Sequence, residues 1–252
     1  MPQAFRYAMP ETLDKSVRWR IDHRTLPQRE PSRRTTIEAI LSSGLATEVV
    51  GLLSAGKEAD VYLAGYGGDP IAVKVYRLFR TSRRGGGGAK LDRMSRQAAR
   101  EYDALFRAWK AGAPVPTPAR RVENMVSMRY LGDDDGPAPR LQDVPLRNPK
   151  EFLDQTLTAT KALVQGGQVH GDLSAFNILV HASRPWFIDF SDAIRVDRLG
   201  ISPWKRLTRA RTRLRRDLQA LQVHFRRYGL SLDVEGITSD LVRELDVGGL
   251  LG

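Results

Sequence analysis

Apolar residues recur at two different periods along this chain, and the alternation between them predicts a mixed α and β protein. Ile37, Ile40, Leu41 and Leu45 keep helical spacing, with Thr35-Thr36 offering a cap and Gly44 a stop. Strand-like runs follow: Val49-Val50-Gly51-Leu52-Leu53, Val61-Tyr62-Leu63 and Ile71-Ala72-Val73-Lys74-Val75-Tyr76. Helical spacing resumes at Leu91, Met94, Ala98, Tyr102, Leu105 and Trp109, and is ended by Gly112 with Pro114, Pro116 and Pro118 beyond it. A strand over 125 to 131 stops at Gly132. Asn148, Pro149 and Glu151 then predict a helix opened by a capping box, with Leu153, Leu157, Thr160 and Val164 buried and Gly166-Gly167 as its end. Two short apolar runs, 177 to 180 and 186 to 190, predict a hairpin that brings Asn177 and Asp189 to the same end. Leu207, Leu214, Leu218, Leu221 and Phe225 predict a packed stripe on a long helix, and Leu241, Val242 and Leu245 mark a last one.

Three interruptions of these patterns carry chemistry. The loop Ser54-Ala55-Gly56-Lys57-Glu58-Ala59 is either an ordinary hairpin turn or a small-residue turn whose N–H groups approach phosphates, with Lys57 adding charge. Lys74 is either a residue snorkelling from an edge strand or a phosphate ligand. Glu101 falls on the apolar stripe of its helix, three positions after Ala98, so it either meets a cation, with Lys74 the nearest by topology, or sits at a solvated edge. The run from Thr81 through Gly88 reads as a flexible loop.

Composition sets limits. The chain has 252 residues, 41% of them apolar, and no cysteine, which fits a globular core without disulfides or thiolate metal sites. Neither an apolar run of eighteen residues nor an apolar core at the start is found, so a cytoplasmic location away from membranes is expected. Polar, proline-interrupted residues 1-35 read as a basic arm, 36-132 as a first lobe, and 133-252 as a second, the break falling at the acidic, proline-rich stretch from 133. The net charge of +11 is concentrated in 198 to 227, where ten basic residues face Asp217 alone. That helix is either a solvated surface or a grip on RNA phosphates.

The densest chemistry lies in Val169-His170-Gly171-Asp172-Leu173-Ser174-Ala175-Phe176-Asn177 and in Ile188-Asp189-Phe190. Asp172 could orient and deprotonate a hydroxyl, while Asn177 and Asp189 hold a divalent ion against nucleotide phosphates. His170, between apolar neighbours, reads as a buried scaffold residue in preference to an acid or base.

Together these segments resemble the RIO family of atypical serine/threonine protein kinases: Ser54 to Tyr62 its phosphate loop, His170 to Asn177 its catalytic loop, and Ile188 to Ser191 its metal loop. The resemblance implies an α/β (α+β), compact bilobal, protein-kinase-like fold, with an antiparallel sheet and one main helix in the first lobe and a mostly helical second lobe. It implies ATP as the nucleotide, with Mg²⁺, or Mn²⁺ as the alternative ion. By the same resemblance Ser54, Gly56 and Lys57 line the phosphates, Lys74 contacts them and Glu101 pairs with Lys74. Met128, Arg129 and Leu131 form the hinge. Asp172 is the base, Asn177 and Asp189 bind metal, and Asp189 is also an acceptor of phosphate itself, while Ser82 and Ser95 are autophosphorylation candidates. A protein substrate, the chain itself and ribosomal RNA or a ribosomal subunit are the partners implied. The Asp-His-Pro common in the family after the metal loop is missing, and Val196-Asp197-Arg198-Leu199 stands there instead. His-Gly-Asp also occurs in aminoglycoside and choline kinases, so a small-molecule phosphotransferase is the alternative, disfavoured because only 63 residues follow Asp189. A non-enzymatic RNA-binding assembly factor is the third reading.

Overall fold

The computed structural model describes residues 33–56, 58–77, 87–133, 135–196 and 203–250. These form two compact units, one of residues up to Ala99 with Ala119–Tyr130, the other of Arg100–Pro118 with Leu131 onward. The expected arm before residue 33, together with Lys57 and Ser82, lies outside the described residues. Among the described residues no helix is long and apolar enough to cross a membrane.

The first unit is organised on a five-stranded sheet of β1 (Glu48–Ala55), β2 (Ala59–Tyr66), β3 (Asp69–Tyr76), β4 (Pro118–Val122) and β5 (Met125–Arg129), in the order β1-β2-β3-β5-β4. Helix α1 (Arg33–Ser42) closes one face, where Ile40 and Leu45 are buried with Tyr62, Ala64, Val73, Val75 and Met125. Gly44, at φ +69, turns the chain from this helix toward β1, a left-handed conformation that glycine takes without steric cost. The register of β1 on β2 shifts between Val49 and Gly51 and again between Leu52 and Ser54, so the strand is bent as it enters the candidate phosphate loop. Strand β4 is not marked by the hydrophobic pattern. Its first residue is Pro118 and it sits at the sheet edge, where a missing N–H breaks no ladder.

Helix α2 (Gly87–Lys110) begins inside the glycine run, so Gly87 and Gly88 are helical instead of part of the loop. The first N–H groups of a helix have no intrahelical acceptor, which makes this the position where a poor helix former is best tolerated. Met94, Ala98, Glu101, Leu105 and Ala108 form its buried face, while Trp109, expected on that stripe, is 44% exposed. Along a flank Tyr102 instead stacks on Phe106, with ring centroids 6.4 Å apart, and Phe106 meets Trp109 at a tilt of 38° with centroids 5.7 Å apart.

The second unit is mostly helical. It includes a two-residue antiparallel pair, β6 (Gly132–Asp133) with β7 (Gly136–Pro137). Helix α3 (Pro149–Gln165) buries Phe152, Leu153, Thr156, Ala159, Thr160, Leu163 and Val164, with Leu157 only half-buried. Its capping box does not form. The Asn148 amide donates to the Glu151 carboxylate at 3.3 Å, because Asn148, at φ −121 and ψ 76, does not turn its oxygen onto the helix N–H groups. Helix α4 (Pro203–Phe225) buries Ala210, Leu214, Leu218, Leu221 and Phe225, and packs on α5 (Val234–Leu250), where Arg215 pairs with Glu235. Between α3 and α4 run the short antiparallel pairs β8 (Gln168–Val169) with β11 (Ile194–Arg195), and β9 (Ile178–His181) with β10 (Arg184–Phe187).

Candidate functional site

Two hairpin registers set the geometry. Phe187 opposite Ile178 ends the β9–β10 ladder, and the Ile188 N–H then donates to the Asn177 carbonyl at 3.0 Å. Ile194 opposite Val169 closes the other pair. The loop 170 to 177 and the loop 188 to 193 therefore leave neighbouring strand ends, as the apolar runs predict for Asn177 and Asp189.

His170 is buried and holds the loops together. Its Nε2 lies 3.0 Å from the Ile188 carbonyl, and its ring centroid is 4.7 Å from that of Phe190, which agrees with a scaffold role. Gly171 follows at φ +86, and a Cβ there would lie 2.4 Å from the Asp192 carbonyl oxygen, so this position accepts the second loop only as glycine does.

The Asn177 side-chain amide donates to Asp172 twice, to its carbonyl at 2.7 Å and to its Oδ2 at 3.0 Å. That commits the amide nitrogen and leaves Oδ1 as the acceptor Asn177 can turn toward a cation. Asp189 is a non-glycine residue at φ +64, and its carboxylate accepts from the Ser191 N–H at 3.4 Å. Desolvation pushes the Asp172 carboxyl above its ordinary range, the Asn177 hydrogen bond and Arg213 pull it down, and Asp192 and Asp189 push it up again. An amide oxygen and a carboxylate beside this negative field are hard donors suited to Mg²⁺, which keeps most of its shell for water and phosphate oxygens. Among the described residues no cluster of three or more acidic or histidine side chains could hold a metal ion alone.

Helix α4 supplies two groups that charge patterning conceals. Asp217 is buried and accepts from both neighbours of Asp172, from the Gly171 N–H at 2.8 Å and the Leu173 N–H at 2.9 Å. Arg213, expected on the exposed basic exterior, instead donates to the Gly171 carbonyl at 3.1 Å and is half-buried. Asp217 lies three residues after Leu214 and four before Leu221, the same rule that singles out Glu101.

Burial pushes the Asp217 carboxyl up to about 7, against the Gly171 and Leu173 donors and Arg213. A carboxyl whose folded pKa exceeds its unfolded value favours the fold when protonated, so its contribution is lost as pH rises toward 7. Between about pH 5 and about pH 8 the urea midpoint of the wild type is expected to fall further than that of Asp217→Asn, and equal slopes would discount Asp217 as the source.

Glu101 is 2% exposed and accepts from the Phe190 N–H at 3.3 Å, which excludes a solvated edge and ties it to the loop after Asp189. Lys74 lies on β3, paired with Val61 on one side and Val126 on the other, so it is on no edge strand. Its Nζ is 5.3 Å from the Tyr76 ring centroid. Ser54 lies near the end of the β1 ladder opposite Val61, and the Gly56 N–H donates to the Ala59 carbonyl at 2.9 Å. Arg77, which no motif marks, grips this turn by donating to the Gly56 carbonyl while pairing with Asp60 at 2.9 Å. Met128 and Arg129 lie on β5 opposite Ala72 and Ile71, and the Leu131 carbonyl is taken by the Ala138 N–H at 2.9 Å.

The RIO domain family model matches residues 60–237. The RIO-type serine/threonine-protein kinase Rio1 of Haloferax volcanii is 31% identical over 74% of this chain and 66% of its own length. That of Methanocaldococcus jannaschii is 30% identical over 76% of this chain and 71% of its own. Human serine/threonine-protein kinase RIO1 is 31% identical over 67% of this chain, which spans only 33% of the human protein. Among solved structures, the Rio2 kinase of Chaetomium thermophilum superposes with a TM-score of 0.66 at 21% identity, covering 94% of this chain and 78% of that one. A second crystal structure of that protein, an ADP/Mg²⁺-phosphoaspartate complex, gives 0.60 at 20% identity over 92% and 79%. At such identity the likeness speaks for a shared kinase-like α+β fold, and with the family match over 60–237 the chain belongs to the RIO family.

Proposed function

We propose that this chain is a RIO-type serine/threonine protein kinase or ATPase that works on ATP in the cytoplasm, with a protein or itself as acceptor. The observation that carries this reading is the 3.0 Å hydrogen bond from Asn177 to Asp172, made on a loop whose neighbour in the β9–β10 register carries Asp189. In the kinase branch Asp172 takes the proton of the acceptor hydroxyl. The freed oxygen bonds to the γ-phosphorus, and the bond from that phosphorus to the bridging oxygen of ADP breaks. Asn177 and Asp189 are the residues that would hold Mg²⁺, which when bound neutralises phosphate charge. Lys74 takes the α- and β-phosphates, with Ser54, Gly56 and Lys57 in the phosphate loop and the backbone of 128 to 131 at the adenine.

One crystallised Chaetomium complex holds ADP, Mg²⁺ and phosphoaspartate. The ATPase branch here takes the same form: an Asp189 oxygen bonds to the γ-phosphorus, ADP leaves, and water releases phosphate from the acyl phosphate. Incubation of the full chain with labelled ATP, Mg²⁺ and in parallel a model protein, an aminoglycoside or choline separates the acceptors. Label on protein supports the proposal, stable to hydroxylamine for serine or threonine and labile for Asp189. Label on the small molecules alone would favour the phosphotransferase reading instead.

A ribosomal RNA partner is favoured by a specific arrangement. Lys205, Arg209 and Arg216 are exposed and share the side of α4 opposite its buried stripe, whereas Arg213 and Arg215 are engaged by Gly171 and Glu235. Changing Lys205, Arg209 and Arg216 to glutamate is expected to weaken RNA binding and lower its salt slope by about 3, close to one unit for each phosphate no longer neutralised. ATP turnover should be unaffected, and unchanged RNA binding at moderate salt would remove this partner.

A further inference from the structure

We propose that Arg213 is a positioning residue for phosphoryl transfer: by donating to the Gly171 carbonyl it fixes, together with Asp217, the backbone on which Asp172 is presented. The inference rests on the reading of Asp172 as the base. Arg213 and Asp217 stand four residues apart, one turn of α4, and so project from the same side of the helix. Between them they engage both polar groups of Gly171. The N–H donates to Asp217 at 2.8 Å and the carbonyl accepts from Arg213 at 3.1 Å, while the Leu173 N–H reaches the other Asp217 oxygen at 2.9 Å.

Asp172 itself is exposed and is held by the Asn177 amide, at its carbonyl and at Oδ2, from within the same loop, whereas Asp217 and Arg213 tie its neighbours to α4. Its direction relative to the helix is set by the peptides on either side, since these carry the bonds to α4. Gly171 needs this restraint, because at φ +86 it occupies a region from which a glycine backbone readily departs. The positive charge of Arg213 also favours the ionised form of both Asp172 and Asp217. A fork-shaped donor that is always charged can satisfy a carbonyl and offset two carboxylates at once, which a neutral side chain cannot.

The test compares wild type, Arg213→Gln and Arg213→Lys in the full chain, reading kcat, KM for ATP, melting temperature and backbone amide exchange of Gly171 and Leu173. For Arg213→Gln we expect kcat lower by on the order of 10- to 100-fold, as a misplaced catalytic group produces. KM for ATP should change by less than about 2-fold, since Arg213 acts on the Gly171 backbone and is assigned no phosphate or adenine. Exchange at Gly171 and Leu173 should quicken, and Arg213→Lys should recover most of kcat. Unchanged kcat and exchange would overturn the inference. So would parallel losses of kcat, ATP affinity and melting temperature without recovery by lysine, the behaviour of a purely structural residue. Absence of turnover in the wild type would instead defeat the kinase reading, and the inference about positioning with it, whatever exchange shows of the clamp itself.

Discussion

Replacing Asp217 by alanine should cost the chain about 3 kcal/mol of stability and nearly all of its ATP turnover. The carboxylate is 3% exposed and is the acceptor for two backbone N–H groups, and a buried donor left without a partner costs about 1–3 kcal/mol. Relief of the carboxylate's own desolvation, which holds its pKa up to about 7, returns part of that loss. The effect on turnover follows because the two orphaned groups flank Asp172, and the loop can satisfy them only by moving. Urea midpoints and initial rates of the variant and the wild type measure both. If neither changed, α4 would be a passive support and Asp172 would be held by something other than this clamp.

The second large effect is expected at Asp172 itself. Asp172→Ala should lower phosphoryl transfer by on the order of 10³-fold, about 4 kcal/mol in activation free energy, with little change in stability. The residue is exposed, and its side chain accepts from Asn177, whose amide keeps the Asp172 carbonyl at 2.7 Å after truncation. Full activity in this variant would move the base elsewhere. A fall in melting temperature matching that of Asp217→Ala would mean that the residue is structural.

How far these groups can be read from sequence depends on how local their geometry is. Asp172 and Asn177 meet inside one turn, five positions apart, and Asp189 joins them through a two-strand register that alternation of apolar residues already predicts. Glu101 is legible because a carboxylate on an apolar stripe needs a reason to be there, and its burial supplies one. Asp217 obeys the same rule, but it stands alone among ten basic residues, and net charge draws the eye to the outside of the helix. Arg213 offers no signal. It flanks the stripe, and only a hydrogen bond to a residue 42 positions away in sequence distinguishes it from the arginines in solvent. Strand β4 and the grip of Arg77 on Gly56 are hidden for related reasons, the first by a proline tolerated at a sheet edge, the second by a bond across 21 residues. The helix cap at Asn148 fails in the opposite sense: the residue types are right, and backbone angles decide against them.

If the loops around Asp172 and Asp189 carry out metal-dependent transfer of the γ-phosphoryl group, the fate of that group must depend on the ion. The decisive measurement follows label from γ-labelled ATP in the full chain, once with Mg²⁺ and once with EDTA. Label is expected on protein or as free phosphate with Mg²⁺, and in neither form with EDTA. No release or transfer with Mg²⁺, or equal turnover in its absence, would contradict metal-dependent phosphoryl transfer at these loops.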